Sequence, residues 1–211
     1  MNRLYRSFAL LVFTISIGGC AHEGSSLSEP HPVTAADMQA VLRDEWSRHL
    51  FWTRNVVLDH AKNDLRSRDF AEKAVATNAR DLARTFRPFY GDVASDRLHT
   101  LLTKHYEAVK AYSLATVAGN ARQQDAAKAN FTSNVDEIAS FFSGINPHLS
   151  KEAVRTLFAA HVDQHVAQIH KFQDKDYAGE EESWPTMEHQ IYVIADTLAA
   201  ALVKQFPNKF M

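Results

Sequence analysis

The sequence is short of the residues that interrupt or cross-link a fold. Cys20 is the single cysteine among 211 residues, which excludes intramolecular disulfide bonds. Only 7 glycines and 6 prolines are present, and beyond residue 33 they stand at predicted boundaries. The apolar run near the N-terminus is too short for an ordinary membrane-spanning helix, which needs roughly 20 apolar residues. These shortages favour a domain of long helices without disulfides.

Charge and motifs exclude several function classes. The 23 basic and 25 acidic side chains give a net charge of −2, without the basic surface that nucleic acid requires, so we expect no nucleic-acid partner. The sequence has no P-loop, nucleophile elbow, dinucleotide fingerprint or HExxH motif. A binding module or a structural and interaction protein is therefore favoured over an enzyme. The sequence indicates no oligomeric state.

The N-terminus has the pattern of a secretory signal. Arg3 and Arg6 precede an apolar run over residues 8–17, followed by Ile17-Gly18-Gly19-Cys20. These four residues resemble the lipobox of bacterial lipoproteins, which implies a signal peptide over residues 1–19 and acylation of Cys20. A plain secretory signal with an incidental cysteine is the alternative.

The lipobox resemblance also implies a location. The lipid would hold the protein in a membrane at the cell envelope, and residues 20–33 would form a flexible tether ahead of a domain over residues 34–211. In bacterial lipoproteins, an Asp directly after the cysteine keeps the protein out of the outer membrane. This chain has Ala21 at that position instead. In a Gram-negative host this implies the outer membrane, facing the periplasm.

Residues 34–211 predict an all-α fold, because no segment shows sustained strand alternation. Capping signals and breakers delimit six helices. The first three helices are predicted from Thr34 to about Asp64, from Asp69 to the breakers Pro88 and Gly91, and from about Ser95 to Ala118. The last three are predicted from the break at Gly119-Asn120 to Gly144, from Ser150 to about Lys175, and from Pro185 to just before Pro207. Residues 179–183 are predicted as a loop.

An internal period of 56 residues relates these helices in pairs. His49, His105 and His161 recur at this interval, each within an apolar stripe. Other matching sets are Leu42, Leu98 and Val154; Trp46, Leu102 and Phe158; and Leu82, Ile138 and Ile194. The period predicts three repeated helical hairpins packed into one bundle, and a curved solenoid is the alternative.

Polar residues recur beside the three histidines. At similar levels of the predicted hairpins lie Asn78 and Asn134, then Asp81 and Glu137 one turn further, and Glu45 before the first histidine. Three imidazoles on a common axis are a suitable ligand set for a divalent metal, and the amides and carboxylates could fix the ring tautomers. The sequence therefore predicts a histidine-lined polar site.

Three interpretations of these histidines remain open. They could ligate a metal, line a small-molecule pocket, or form hydrogen bonds that lock each hairpin, since duplication copies a structural residue as faithfully as a ligand. His165 lies one turn after His161 on the same face, a spacing that suits a metal. It aligns with Thr53 and Val109, however, and is left outside the repeated set.

Three segments resemble an uncharacterised bacterial helical family. They are LRDEWSRHLFWTR at residues 42–54, NVDEIA at 134–139 and QFPNKF at 205–210. Some members of this family are labelled acetylglutamate kinase or glycosyltransferase, but this chain has neither the phosphate loops nor the alternating strands of those enzymes. The resemblance implies a shared role for His49, His105 and His161 without naming it.

Overall fold

The regular structure of residues 33–211, the part of the chain that this computed structural model describes, is entirely helical. Five α-helices and a closing 3-10 helix follow one another: α1 Ala35–Lys62, α2 Leu65–Val117, α3 Ala121–Ile145, α4 Lys151–Gln173, α5 Tyr177–Gln205 and the 3-10 helix Pro207–Lys209. Residues 33–211 contain no strand. The predicted all-α class is confirmed.

The predicted signal peptide, Cys20 and nearly all of the predicted tether lie outside the described residues. Lipidation and envelope location therefore stay predictions. None of the described helices combines the length and apolar character needed to cross a membrane.

The prediction of six helices in three hairpins is wrong, because the predicted second and third helices form the single element α2. Pro88 lies inside it, and the predicted break after Gly91 contains no loop. Gly91 alone leaves helical geometry, with φ 81° and ψ 179°. This backbone region is essentially restricted to glycine, so one residue makes the bend that the prediction assigned to a loop.

The two segments of α2 fold back on one another at Gly91. Ser95 Oγ donates to the Ala83 carbonyl at 3.0 Å, and Lys110 Nζ binds Glu72 Oε2 at 2.7 Å. α2 packs against both α1 and α3. The predicted boundary between a first and a second hairpin therefore lies within a single helical element.

The last long helix also starts earlier than predicted, at Tyr177 instead of Pro185. Asp176 caps it through a 2.9 Å hydrogen bond from the Gly179 amide, and a Cβ at Gly179 would lie 2.1 Å from this carboxylate. Gly179 therefore permits the cap rather than forming the predicted loop. The first turn is also held in place by Glu180, which is buried and paired with Arg54.

Other helix starts agree with the predicted capping residues. Thr34 and Asp37 form the predicted capping box at α1, with reciprocal hydrogen bonds of 3.1 and 2.9 Å. Ser150 caps α4 as predicted, whereas Asn120, predicted only as part of the break before α3, caps that helix. Short polar side chains satisfy amides that the first helical turn leaves without partners, so these boundaries are encoded locally.

One apolar core joins all five helices, and many of its largest side chains lie at positions that the 56-residue period matched. Fully buried examples are Leu42, Trp46, Leu82, Leu98, Ile138, Phe142 and Phe158. Three side-chain amides also bridge helices, each donating to the carbonyl 33 residues earlier: Asn78 to Glu45, Asn134 to Leu101 and Gln190 to Leu157. These contacts hold the helices that carry the histidines at matching levels.

Candidate metal centre

Four histidines meet in the middle of the core. His49 comes from α1, His105 from the second segment of α2, and both His161 and His165 from α4. Their exposed fractions are 4%, 2%, 0% and 0%. The sequence therefore identified three members of a cluster of four, which we call the histidine cluster.

The cluster is tight enough for its members to share one ion. One ring nitrogen from each histidine lies within 4.8 Å of those of the other three. The closest pair is His161 Nε2 and His165 Nε2, at 3.0 Å, and the His105 and His161 rings stack with centroids 5.6 Å apart. Tetrahedral zinc with bonds of about 2.0–2.1 Å separates its nitrogens by about 3.3 Å, so small side-chain rotations suffice to close the set.

Asn134 determines which nitrogen of His105 carries the proton. Asn134 Nδ2 donates to the Leu101 carbonyl at 3.0 Å, which leaves its Oδ1 to face His105 Nδ1 at 3.1 Å. Because an amide oxygen only accepts, Nδ1 of His105 must donate. Its Nε2 is then a bare lone pair, buried without a hydrogen-bond partner among the described residues.

Further ring nitrogens in the cluster lack partners. His161 and His165 share one proton between their Nε2 atoms, while the Nδ1 atom of each ring is buried without a partner in the described chain. Nε2 of His49 is in the same condition. A buried polar group without a partner typically costs about 1–3 kcal/mol, so the cluster is strained as a purely hydrogen-bonded arrangement.

All four imidazoles are neutral at pH 7. Burial is the main cause that lowers the pKa of His105 to about 4 and of His165 to about 3. Burial first, and then the charge of neighbouring histidines, holds the pKa of His49 and His161 well below the ordinary value. Neutral imidazoles retain the lone pair that a metal needs.

Aromatic side chains pack around the cluster. The Trp46 ring meets the His49 and His161 rings edge-on, with centroids 5.7 and 6.5 Å apart, and Phe131 packs against His105 at 6.0 Å. On its far side Phe131 lines a groove of about 760 Å³ between α3 and α4. The lining of this groove contains no member of the cluster, and the four histidines themselves are buried.

The other predicted polar residues have different surroundings. Asn78 donates to the carbonyl and the carboxylate of Glu45, at 2.9 and 2.8 Å, rather than to a histidine. Asp81 pairs with Arg84, and Glu137 pairs with Arg97 and Lys104, all at partly exposed positions. Within residues 33–211, only Asn134 of the five predicted supporting side chains forms a hydrogen bond to the cluster.

His165 is the ligand candidate that the repeat excluded. Its position in the first two copies holds Thr53 and Val109, so internal comparison argues against it. The available signal was local, since residues four apart on a helix lie on one face. The spacing His161-x-x-x-His165 pointed to the fourth histidine, but the prediction followed the 56-residue period and left it out.

Four neutral imidazoles suit particular metals. Nitrogen donors in a tetrahedral arrangement fit zinc, copper and other late first-row transition metals, whereas magnesium and calcium prefer oxygen. A set of four protein ligands resembles a closed structural site, because catalytic zinc sites keep one position for water or substrate. No known family model, curated protein or solved structure matches the chain.

Proposed function

We propose that this protein binds one late first-row transition-metal ion through His49, His105, His161 and His165. The observation that carries the proposal is the convergence of four buried, neutral imidazoles whose ring nitrogens lie within 4.8 Å of one another. The Nε2 atoms of His49 and His105, buried without hydrogen-bond partners among the described residues, support it, because a metal ion uses lone pairs that the protein does not satisfy.

The proposed role is metal holding rather than substrate turnover. A set of four histidines fills a tetrahedral shell, and the closed core leaves no approach for a substrate. We infer from the lipobox that this holding takes place at the cell envelope, with Cys20 as the lipid attachment site. Three hydrogen bonds, each from a side-chain amide to the carbonyl 33 residues earlier, support an origin of the domain in an internal repeat.

A structural lock is the competing function, and the hydrogen bond between His105 and Asn134 favours it. In that case the histidines tie helices together without any ligand. The two functions differ in what they predict for the remaining ring nitrogens. A lock requires only one hydrogen bond to each ring, as His60 has to Ser113, whereas a metal centre requires free lone pairs that converge.

The test is a metal titration of purified, chelator-treated protein with Zn²⁺, Cu²⁺ and Co²⁺. We expect one ion per chain, and tetrahedral Co²⁺ would give intense visible absorption. His60→Gln is the matched control, because His60 is also buried but lies outside the cluster. It should bind one ion, while His161→Gln/His165→Gln should bind none. Failure of the unaltered protein to retain any of these ions would contradict the proposal.

A further inference from the structure

A chain of buried polar contacts runs from the histidine cluster toward the surface. Gln168 follows His165 by three residues on α4, and its Nε2 donates to Glu180 Oε1 of α5 at 2.8 Å. Arg54 of α1 binds the same carboxylate through Nε at 2.7 Å and Nη2 at 2.5 Å. Gln168 and Glu180 are each 1% exposed, so three helices share a buried network beside the cluster.

This network fixes the direction of the Gln168 amide. Its Nε2 faces a carboxylate, which only accepts, so its Oε1 is the end that remains available. Gln168 Oε1 and His165 Nδ1 are both buried without a hydrogen-bond partner among the described residues. Residues three apart on a helix lie on the same face, so Gln168 and His165 leave α4 on one side, each with a buried atom in need of a partner.

We propose that Gln168 is a positioning residue for the metal centre, accepting the Nδ1 proton of His165 so that its Nε2 lone pair faces the ion. Glu180 and Arg54 hold the amide in this direction. The inference rests on the proposed metal binding and gives His165 the kind of support that Asn134 gives His105. In the metal-free protein, the proton between the two Nε2 atoms then belongs to His161, whose Nε2 donates to His165 Nε2.

Such support has a measurable effect, since loss of a residue that orients a metal-bound histidine typically lowers metal affinity by about 10–100-fold. Gln168→Met removes the amide and keeps most of the volume. Glu180→Gln keeps an acceptor for Gln168 but removes the charge. Asp196→Asn is the matched control, because Asp196 of α5 also binds an α1 arginine, Arg43, through two hydrogen bonds of 2.7 and 2.6 Å.

The experiment measures Co²⁺ affinity by competition with a chelator, the visible Co²⁺ spectrum, and the ¹⁵N NMR shifts of the imidazoles in metal-free protein. We expect Gln168→Met to weaken Co²⁺ binding by about 10–100-fold with an altered spectrum. Glu180→Gln should have a smaller effect and Asp196→Asn none. The NMR shifts should place the His165 proton on Nδ1 in the unaltered protein and remove that preference in Gln168→Met.

The outcomes separate this inference from the proposed function. Equal Co²⁺ affinity and an unchanged spectrum in Gln168→Met would overturn the role of Gln168 while leaving metal binding intact. A His165 proton on Nε2 in the metal-free protein would overturn it as well. If the unaltered protein binds no metal, the proposed function and the positioning role both fail, and the NMR shifts then report only on the hydrogen bond to Gln168.

Discussion

His60 and the histidine cluster both place imidazole in the core, but their neighbours differ. His60 Nδ1 lies 2.9 Å from Ser113 Oγ, and its Nε2 is 3.9 Å from Glu72 Oε1. Glu72 in turn binds Lys110. Burial, followed by the charge of Arg68, lowers the pKa of His60 to about 4. A low pKa therefore accompanies burial wherever it occurs and does not identify a site.

The cluster differs in what its ring nitrogens face. Among the described residues, its hydrogen-bond partners are a neutral amide and another imidazole, and no charged side chain pairs with it. Four rings converge there, whereas His60 is alone among charged residues. Convergence of lone pairs, rather than burial or pKa, is the feature that distinguishes the candidate metal centre from His60.

The largest difference should appear in metal-dependent stability. An ion that binds only the folded state stabilises it by about 4 kcal/mol at a concentration 1,000 times its Kd. We expect Zn²⁺ to raise the Tm of the unaltered protein and of His60→Gln, and to leave His161→Gln/His165→Gln unchanged. Thermal unfolding with and without Zn²⁺ measures this. An equal rise in the double variant would show that Zn²⁺ acts outside the cluster.

Acid should destabilise the metal-free protein through both regions. The folded pKa values of His60 and His105, about 4, and of His165, about 3, lie below the ordinary histidine value of about 6.5. The unfolded chain therefore binds more protons as pH falls below about 6.5, and folding free energy is lost toward pH 4, by about 1 kcal/mol per pH unit for each such histidine.

Denaturant unfolding across this pH range tests the relation. His60→Gln should reduce the pH dependence of the free energy of unfolding by the contribution of one histidine. His161→Gln/His165→Gln should reduce it by more, because two histidines are lost. Stability that is flat between pH 6.5 and 4 would show that these histidines are not neutral in the folded state. Bound metal should move the loss of stability to lower pH, because protons must then compete with the ion.

Two asparagines provide a finer comparison. Asn78 and Asn134 are both buried and each donates to a helix carbonyl, but of the two only Asn134 forms a hydrogen bond to a histidine. Substitution by Ala should destabilise either variant by about 1–3 kcal/mol, because buried groups lose their partners. Only Asn134→Ala should also weaken metal binding, by about 10–100-fold. Equal affinities in a Co²⁺ titration of both variants would argue against a tautomer role for Asn134.

The smallest effects are expected at the predicted carboxylates. Asp81 and Glu137 form partly exposed ion pairs with basic side chains, and such pairs contribute about 0–1 kcal/mol. Asp81→Asn and Glu137→Gln should therefore change Tm little and leave Co²⁺ affinity unchanged. Weaker Co²⁺ binding in either variant would place its carboxylate functionally at the cluster, as the repeat suggested.

Much of the local structure was predictable because its causes are local. The Thr34 and Asp37 capping box, the Asn120 and Ser150 caps and the apolar stripes all follow from neighbouring residues. The predicted helix boundaries were wrong where contacts between residues distant in the chain compete with local signals. Gly179 reads as a loop residue, yet α5 starts before it because Glu180 is buried against Arg54.

The sequence by itself determined that this chain forms helices and that His49, His105 and His161 each lie on the core-facing stripe of a helix, because helical periodicity fixes which residues lie on one face. Only the tertiary structure decided that these three meet His165, that Asn134 alone among the predicted supporting residues forms a hydrogen bond to the cluster, and that α2 bends at Gly91 without a loop. Side-chain direction and helix packing depend on neighbours distant in the chain, which periodicity does not encode.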